Sequence, residues 1–255
     1  MEPTFADHFS AVAKEYALFR PRYPEALFDY LATLVPADAW VWDCAAGSGQ
    51  ATEGLARRFA RVVATDASAE QLAHAPRLPN VEYRAALAED SGLPSAAFSL
   101  VTVAQALHWF DLPRFYAEAR RVSRPGGVLA VWCYATCELE GSVANALLAR
   151  YYSETLGPYW PPERRHVEAG YRTLPFPFEE FPAPAFHMEA EWTLPQLLGY
   201  LATWSARRRF LAETGLDPLV PFAQELARHW GDPERPRRVR WPVLLRVGRV
   251  SADRG

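Results

Sequence analysis

The sequence predicts an α/β fold in which helices cover both faces of a doubly wound, mostly parallel sheet. Three observations predict it. A buried strand leads through a glycine-rich turn into a helix over residues 41–59. Later strands are each separated from the next by a single helix, as parallel strands require. Polar residues directly follow several of these strands, at the edge where doubly wound sheets bind their ligands.

The glycine-rich turn is the feature around which the other elements are arranged. It reads Val41-Trp42-Asp43-Cys44-Ala45-Ala46-Gly47-Ser48-Gly49-Gln50. The first residues favour a strand that ends at Asp43, and residues 52–59 continue with helical spacing. Gly47 and Gly49 let the backbone approach a ligand at a distance where a Cβ atom would collide. Taken alone, such a turn is equally compatible with a tight connection that binds nothing.

A second strand, at residues 61–66, ends in Asp66 at about the 20-residue spacing that places a carboxylate on a pair of ribose hydroxyls. Further strands are predicted at residues 81–84, 98–104, 128–132, 186–192 and 238–247. Glu89 and Gln105 follow strands in the same way as Asp43 and Asp66. Because the carboxyl ends of parallel strands share one edge, these four residues together predict a site for a nucleotide-like ligand.

Capping residues and apolar spacing predict the helices. Ser68 begins a short helix that ends near Pro76, Asp111 and Pro113 begin a helix at residues 114–122, and Thr193 begins one that runs through Ala206. Another helix is predicted at residues 142–156. We also predict a turn at residues 124–127, an edge or bulge at Pro242, and a solvent-exposed face at Arg207, Arg208 and Arg209.

Composition limits the possible partners. The chain has 255 residues, half of them apolar, and a formal net charge of -3, which provides no positive field for nucleic acid. No run approaches the about 18 apolar residues of a membrane span, and the first residues lack a signal-peptide pattern, so we expect a cytoplasmic protein without a membrane partner. The cysteines, Cys44, Cys133 and Cys137, lack the spacing of a metal site and are interpreted as structural.

The N-terminal stretch from Tyr16 to Pro24 combines aromatic residues and arginines with two prolines. Pro21 and Pro24 stiffen the backbone and reduce the entropy lost when Tyr16 or Arg20 meets a ligand. The alternative, a cap on the apolar core, stays open.

With these residues assembled, the chain resembles the class I S-adenosylmethionine (SAM) dependent methyltransferases with a methyltransferase type 11 domain, and among them the trans-aconitate methyltransferase branch. The motifs that carry the resemblance are residues 43–50, Asp66, Ala88-Glu89, residues 105–109, residues 124–127, Tyr16-x-x-x-Arg20-Pro21-x-Tyr23-Pro24 and Trp241-Pro242. It implies a Rossmann-like, doubly wound sheet of seven strands in the order 3-2-1-4-5-7-6, with strand 7 antiparallel.

The resemblance also implies an organisation of the chain. Residues 1–255 are expected to form a single methyltransferase domain. Within it, we expect an N-terminal cap at 1–36, a cofactor-binding core at 37–134, an insertion or lid at 135–185 that contains the proline-rich passage 158–184, and strands 6 and 7 with helices at 186–255.

Site residues follow from the same resemblance. SAM, with S-adenosyl-L-homocysteine as the product, is expected to contact Asp43, Ala45, Gly47, Gly49, Gln50, Asp66, Ala67, Ala88, Glu89, Gln105 and Ala106. The acceptor is expected to contact Tyr16, Arg20, His108 and Trp109, and the first three of these are the candidate catalytic residues. No metal is expected. Ala45 stands in place of the first glycine of the family motif, and Leu87 in place of an aspartate found in many relatives.

The expected reaction is methyl transfer to a small, anionic molecule, with a carboxylic acid methylated on oxygen as the favoured case. A carboxylate needs no general base, whereas a hydroxyl or amine acceptor would use His108 as the base. In a further alternative, His108 has only a structural role. A nicotinamide-dependent dehydrogenase would require a third glycine, which this sequence lacks at the right spacing. A protein that binds SAM without turnover is the remaining alternative. We expect a monomer or a weak homodimer.

Overall fold

A computed structural model describes residues 21–250 of the protein. The strands are β1 (Trp40–Cys44), β2 (Arg61–Asp66), β3 (Val81–Ala85), β4 (Phe98–Ala104), β5 (Ser123–Tyr134), β6 (Glu138–Leu139), β7 (Glu179–Phe181), β8 (Phe186–Trp192) and β9 (Arg237–Arg249). The helices are α1 (Glu25–Thr33), α2 (Gln50–Ala56), α3 (Ala69–Ala73), α4 (Leu112–Val122), α5 (Ser142–Arg150), α6 (Arg164–Glu168), α7 (Leu194–Ala202), α8 (Ser205–Thr214) and α9 (Leu219–Trp230). Short 3₁₀ turns span Leu107–Trp109 and Gly157–Tyr159, and a π-helical turn spans Tyr151–Thr155.

The described chain divides into two compact units. The core unit contains residues 23–135, 165–187 and 242–250. The second unit contains residues 21–22, 136–164 and 188–241.

The sheet of the core unit has the predicted architecture. Strands β3, β2, β1, β4 and β5 lie side by side in that order and run parallel. Strand β9 then pairs antiparallel with β5, from Val128 opposite Arg249 to Tyr134 opposite Val243. Residues 247–249 of β9 also pair with β7, which must therefore lie on the opposite side of β9 from β5. Strand β9 is the expected antiparallel seventh strand, and β6, β7 and β8 also pair with it.

Apolar side chains bury both faces of this sheet, which explains why the central strands are almost continuously apolar. In β4, residues 98–103 are all buried. Leu27 and Leu31 of α1 are fully buried, as are Phe115 and Ala119 of α4. Helices α1 and α4 thus each pack an apolar stripe against the sheet and enclose it. This packing fixes the position of the edge at which the parallel strands end.

The second unit has an aromatic core. Trp241 is fully buried and donates its indole N–H to Tyr200 Oη at 3.1 Å. Trp192 and Trp204 pack edge-on or tilted against Tyr200, with ring centroids 5.4 and 5.9 Å away. Such amphipathic rings fill volume and still satisfy their polar atoms.

The element predictions need several corrections. Asp43 lies inside β1 rather than at its end, and α2 begins at Gln50 rather than Thr52. The expected turn at residues 124–127 belongs to β5, where the register with β4 shifts. The predicted helix through Ala206 breaks at Thr203 and Trp204 into α7 and α8.

Two more local predictions concern Pro242 and Arg207. Pro242 lies between the residues of β9 that pair with β6 and those that pair with β5, and the predicted edge or bulge there stays a prediction. The prediction that Arg207 belongs to a solvent-exposed face was wrong. Its guanidinium pairs with Asp217, with Nε 2.9 Å from Oδ1. No helix between residues 21 and 250 has the length and apolar character needed to cross a bilayer.

Candidate functional site

The carboxylate of Asp43 is the most deeply buried acid at the carboxyl edge of the sheet. Thr52 donates its hydroxyl to Oδ2 at 2.6 Å, and Thr102 donates to Oδ1 at 3.0 Å. Burial is the main cause that raises the pKa of Asp43, the two hydroxyls lower it and the negative charge of Asp66 raises it, and together these effects bring it to about 6. Asp43 is thus rigidly held and sensitive to nearby charge.

Asp66 joins the end of β2 to the glycine-rich turn. Its Oδ2 accepts the Gly47 backbone N–H at 2.8 Å, and its Oδ1 accepts the Ser68 N–H at the same distance. Burial raises the pKa of Asp66 above its ordinary value, while these two hydrogen bonds lower it. Each carboxylate oxygen keeps a further lone pair with which it can accept a hydrogen bond from a ligand hydroxyl.

The turn itself has a left-handed backbone at three alternate positions. Ala45, Gly47 and Gly49 have φ angles of 56°, 55° and 84°. A Cβ on Gly49 would come within 3.0 Å of Pro76 and 3.2 Å of Ala75, so the protein itself requires this glycine. A Cβ on Gly47 would meet no described atom nearer than Gln71 Oε1 at 4.0 Å. The space above Gly47 is therefore open to a ligand.

The remaining predicted cofactor residues border the same edge. Gln105 ends β4 in a left-handed conformation, with φ of 60°, and its backbone N–H bonds the Trp132 carbonyl at 2.8 Å. Glu89 accepts the Asp111 backbone N–H at 2.9 Å, which connects the loop after β3 to the start of α4. Ala67 is exposed, Ala88 is buried, and Gln50 and Ala106 are intermediate in exposure.

His108 lies on the 3₁₀ turn that follows Gln105 and Ala106. Its ring is 4.7 Å from that of Trp109, measured between centroids, and Trp109 itself is 41% exposed. The Nδ1 atom of His108 lies 3.1 Å from the hydroxyl of Tyr171, a contact between residues 63 positions apart. The imidazole therefore has a fixed neighbour on one of its nitrogens.

Sequence reasoning missed Tyr171, Thr52 and Thr102. A threonine in the middle of an apolar strand is a signal that could have identified Thr102 as a partner of a buried acid. Tyr171 has no comparable signal, because it lies in a passage interpreted only as rich in proline. Tyr16 and Arg20 lie outside the residues that the structure describes.

Together these residues could hold a cationic nucleoside derivative. Two carboxylates, Asp43 and Asp66, supply negative charge, and Asp66 supplies acceptors for hydroxyl groups. The open turn at Gly47 provides space and backbone polar groups. Leu87 is 54% exposed and Ala88 neighbours it, so apolar surface is present for a base. Between residues 21 and 250, the side chains form no cluster of three or more possible metal ligands.

Comparison with known proteins agrees with this composition of the site. Residues 42–131 match the family model described as a methyltransferase domain. A candidate methyltransferase of Dictyostelium discoideum is 34% identical over 227 residues, which cover 88% of this chain and 86% of that protein. Trans-aconitate 2-methyltransferase of Deinococcus radiodurans is 39% identical over 108 residues, 40% of this chain and 41% of that enzyme.

A solved structure extends the similarity to most of the chain. It is that of a candidate type II methyltransferase from Anaeromyxobacter dehalogenans, which is 50% identical and superposes with a TM-score of 0.87. The superposition covers 91% of this chain and 99% of the other. The similarity therefore extends well beyond residues 42–131.

Proposed function

We propose, from the premise that this chain belongs to the class I SAM-dependent methyltransferases, that it transfers a methyl group to the oxygen of a small carboxylic acid. The observation that carries the proposal is the carboxyl edge of the sheet, where Asp66 accepts the Gly47 N–H and the space above Gly47 is open to a cofactor. The partial relative from D. radiodurans, named for trans-aconitate, supports an acid as the acceptor.

The described residues fit SAM as the cofactor. Asp66 would accept the ribose hydroxyls, the turn from Ala45 to Gly49 would face the methionine portion, and Ala88 with Ala106 would border the adenine. The nearby charge of Asp43 favours a cation. When bound, SAM supplies a methyl group on a positively charged sulfur, which leaves as the neutral thioether of S-adenosyl-L-homocysteine.

The chain's own contribution is alignment rather than proton transfer. A lone pair of the acceptor carboxylate forms the new O–C bond while the S–C bond breaks, and the electron pair of that bond stays on sulfur. No proton moves, so the enzyme needs groups that orient the acid and exclude water. Arg20 is proposed to bind a carboxylate bidentately, on the resemblance of its sequence motif, and Tyr16 to close over the acceptor.

The first prediction concerns the acceptor. Arg20→Met should lower kcat/KM with acids about tenfold to a hundredfold, because an arginine–carboxylate hydrogen bond contributes about 1.5–3 kcal/mol. His108→Ala should retain part of its activity. The measurement is transfer of label from methyl-labelled SAM to a panel of di- and tricarboxylates, phenols and amines. Arg208→Met, which removes an exposed arginine of α8, is the control and should leave kcat/KM unchanged.

A second candidate function is favoured by the contact between His108 Nδ1 and the Tyr171 hydroxyl. An imidazole held through Nδ1 is also the arrangement of a general base, which a hydroxyl or amine acceptor would require. If His108→Ala abolishes transfer and phenols or amines take the label, base-assisted methylation replaces the carboxylate proposal. Label in none of the compounds of the panel, from a chain that binds SAM, would favour a protein that binds the cofactor without turnover.

A further inference from the structure

We propose that Tyr171 is a positioning residue for His108, which fixes the orientation and the tautomer of its imidazole. This inference rests on the proposed function, since it assumes that His108 faces the acceptor. Its direct evidence is the 3.1 Å contact between Tyr171 Oη and His108 Nδ1. The rings also lie close together, with centroids 5.8 Å apart.

The backbone of Tyr171 adopts a conformation that its side chain disfavours. Its φ angle is 61°, in the left-handed region where a Cβ is crowded by the neighbouring carbonyl oxygen. The residue is nevertheless fully buried. A bulky residue persists in such a conformation when its surroundings over-determine it, and residues of this kind cluster at functional sites.

A buried arginine holds this conformation in place. The Nη1 atom of Arg246 donates to the carbonyl oxygens of Tyr171 and Leu174 at 2.7 and 3.1 Å. Its Nε and Nη2 atoms bind the two oxygens of Glu180 at 3.1 and 2.8 Å. Arg246 is only 8% exposed, and its bonds to Glu180, which is an exposed residue, are charge-assisted.

Further contacts attach the Tyr171 segment, which we define as residues 165–178, to the strands of the core unit. The Cys133 thiol lies 3.4 Å from the Val167 carbonyl oxygen. Gly170 packs so closely that an added Cβ would lie 3.1 Å from Leu244. Tyr116 donates its hydroxyl to the Pro175 carbonyl at 2.6 Å. The segment therefore cannot shift to relieve Tyr171 without breaking several independent contacts.

The contact with Tyr171 accommodates either neutral form of His108, because a hydroxyl can both donate and accept a hydrogen bond. A neutral imidazole has one N–H donor and one acceptor nitrogen. If the Tyr171 hydroxyl donates to Nδ1, the proton of the ring lies on Nε2, which can then donate to an acceptor carboxylate. This is the tautomer that the proposed reaction needs, because the acid must be oriented and not deprotonated. We therefore assign the hydroxyl of Tyr171 as the donor.

The test compares Tyr171→Phe with Tyr116→Phe. Both substitutions remove one hydroxyl hydrogen bond from the Tyr171 segment, but only the first removes a contact with His108. Nitrogen-detected NMR of the imidazole gives the tautomer without any substrate, and the spectrum of His108→Ala identifies the His108 signals. In Tyr171→Phe we expect a mixture of tautomers and a decrease of about 10- to 100-fold in kcat, with the KM for SAM unchanged. Tyr116→Phe should have the same tautomer of His108 and the same kcat as the wild type.

The outcomes separate this inference from the proposed function. A wild-type tautomer and wild-type kcat in Tyr171→Phe would overturn the positioning role. Equal losses in both variants would also overturn it, because they would indicate a general loss of packing. If instead the wild type carries its proton on Nδ1 and Tyr171→Phe loses that preference, Tyr171 still positions His108, but the ring then serves as a base and the carboxylate proposal fails.

Discussion

Asp66 is the residue on which cofactor binding should depend most directly. Asp66→Asn keeps the size of the side chain and an oxygen for the Gly47 N–H, but it removes the charge that strengthens each hydrogen bond to a ribose hydroxyl. Each such bond contributes about 1.5–3 kcal/mol, so SAM affinity should fall at least about tenfold. Titration calorimetry measures it, with Glu70→Gln, the loss of an exposed acid, as the control. Unchanged affinity would contradict the assignment.

Asp43 should make stability depend on pH. Its pKa is raised to about 6 in the folded protein, chiefly by burial, and an unfolded aspartate has a pKa of about 3.9. The folded state therefore binds more protons between these values, so its free energy of unfolding decreases as pH rises through this window, by at most about 3 kcal/mol. Asp43→Asn cannot ionise and should escape that decrease.

Urea denaturation at pH 4.5 and pH 7 checks the sign of this effect. The stability of Asp43→Asn relative to the wild type should rise between the two pH values, because the wild type loses stability as Asp43 ionises and the variant cannot ionise. The amide introduced by this substitution still offers polar partners to the hydroxyls of Thr52 and Thr102. A constant difference between the two proteins would mean that Asp43 titrates as it does in the unfolded chain. Glu70→Gln again serves as the control.

Some residues of the site were predictable and others were not, for physical reasons. Asp43, Asp66 and the glycines follow from local strand and turn patterns, and Asp66 indeed contacts Gly47. Ala45, which stands in place of the first glycine of the family motif, lies in a left-handed conformation that glycine adopts freely. Tyr171 could not be predicted, because its role depends on a contact across 63 residues.

At the scale of elements, the predictions succeeded where a signal is local. The side chain of Ser68 accepts the Gln71 N–H and Asp111 accepts that of Arg114, so both capping residues are confirmed, although α4 begins at Leu112 rather than Arg114. Strand β4 has the predicted limits, because its apolar run is bounded on both sides. The errors occurred where tertiary packing overrides local preference: the bulge beside Gly126, and the break between α7 and α8.

The proline-rich passage should not behave as one element. Hydrogen exchange should find the amides of Tyr171, Arg172 and Leu174 protected even without SAM, because each donates to a backbone carbonyl. Tyr116, Arg120 and Arg246 bind carbonyls in the same stretch and hold it in place. The lid proposal then applies to residues 158–164 and to the N-terminal residues through Pro24, whose protection should increase when SAM is added. Protection of Tyr171, Arg172 and Leu174 that appears only with SAM would contradict this division. The amides of β4 provide the reference for a stable strand.

At the scale of the whole molecule, the strand order was predictable and the division into two units was not. Parallel strands with single helices between them restrict the topology to few choices, and the family resemblance selects one of them. The antiparallel β9 confirms it. Each unit, however, is assembled from separate stretches of chain, and periodicity along the sequence does not report which stretches pack together.

The path of the chain between the units limits how this protein can change. It passes from one unit to the other after residues 22, 135, 164, 187 and 241, and β9 contributes residues to both. Neither unit is one contiguous stretch of sequence. Recombination therefore cannot exchange a unit as a single block, and a shortened gene cannot encode one unit alone. New acceptors must therefore be acquired by substitutions and small insertions within the existing chain. Each such change must leave the folding of both units intact.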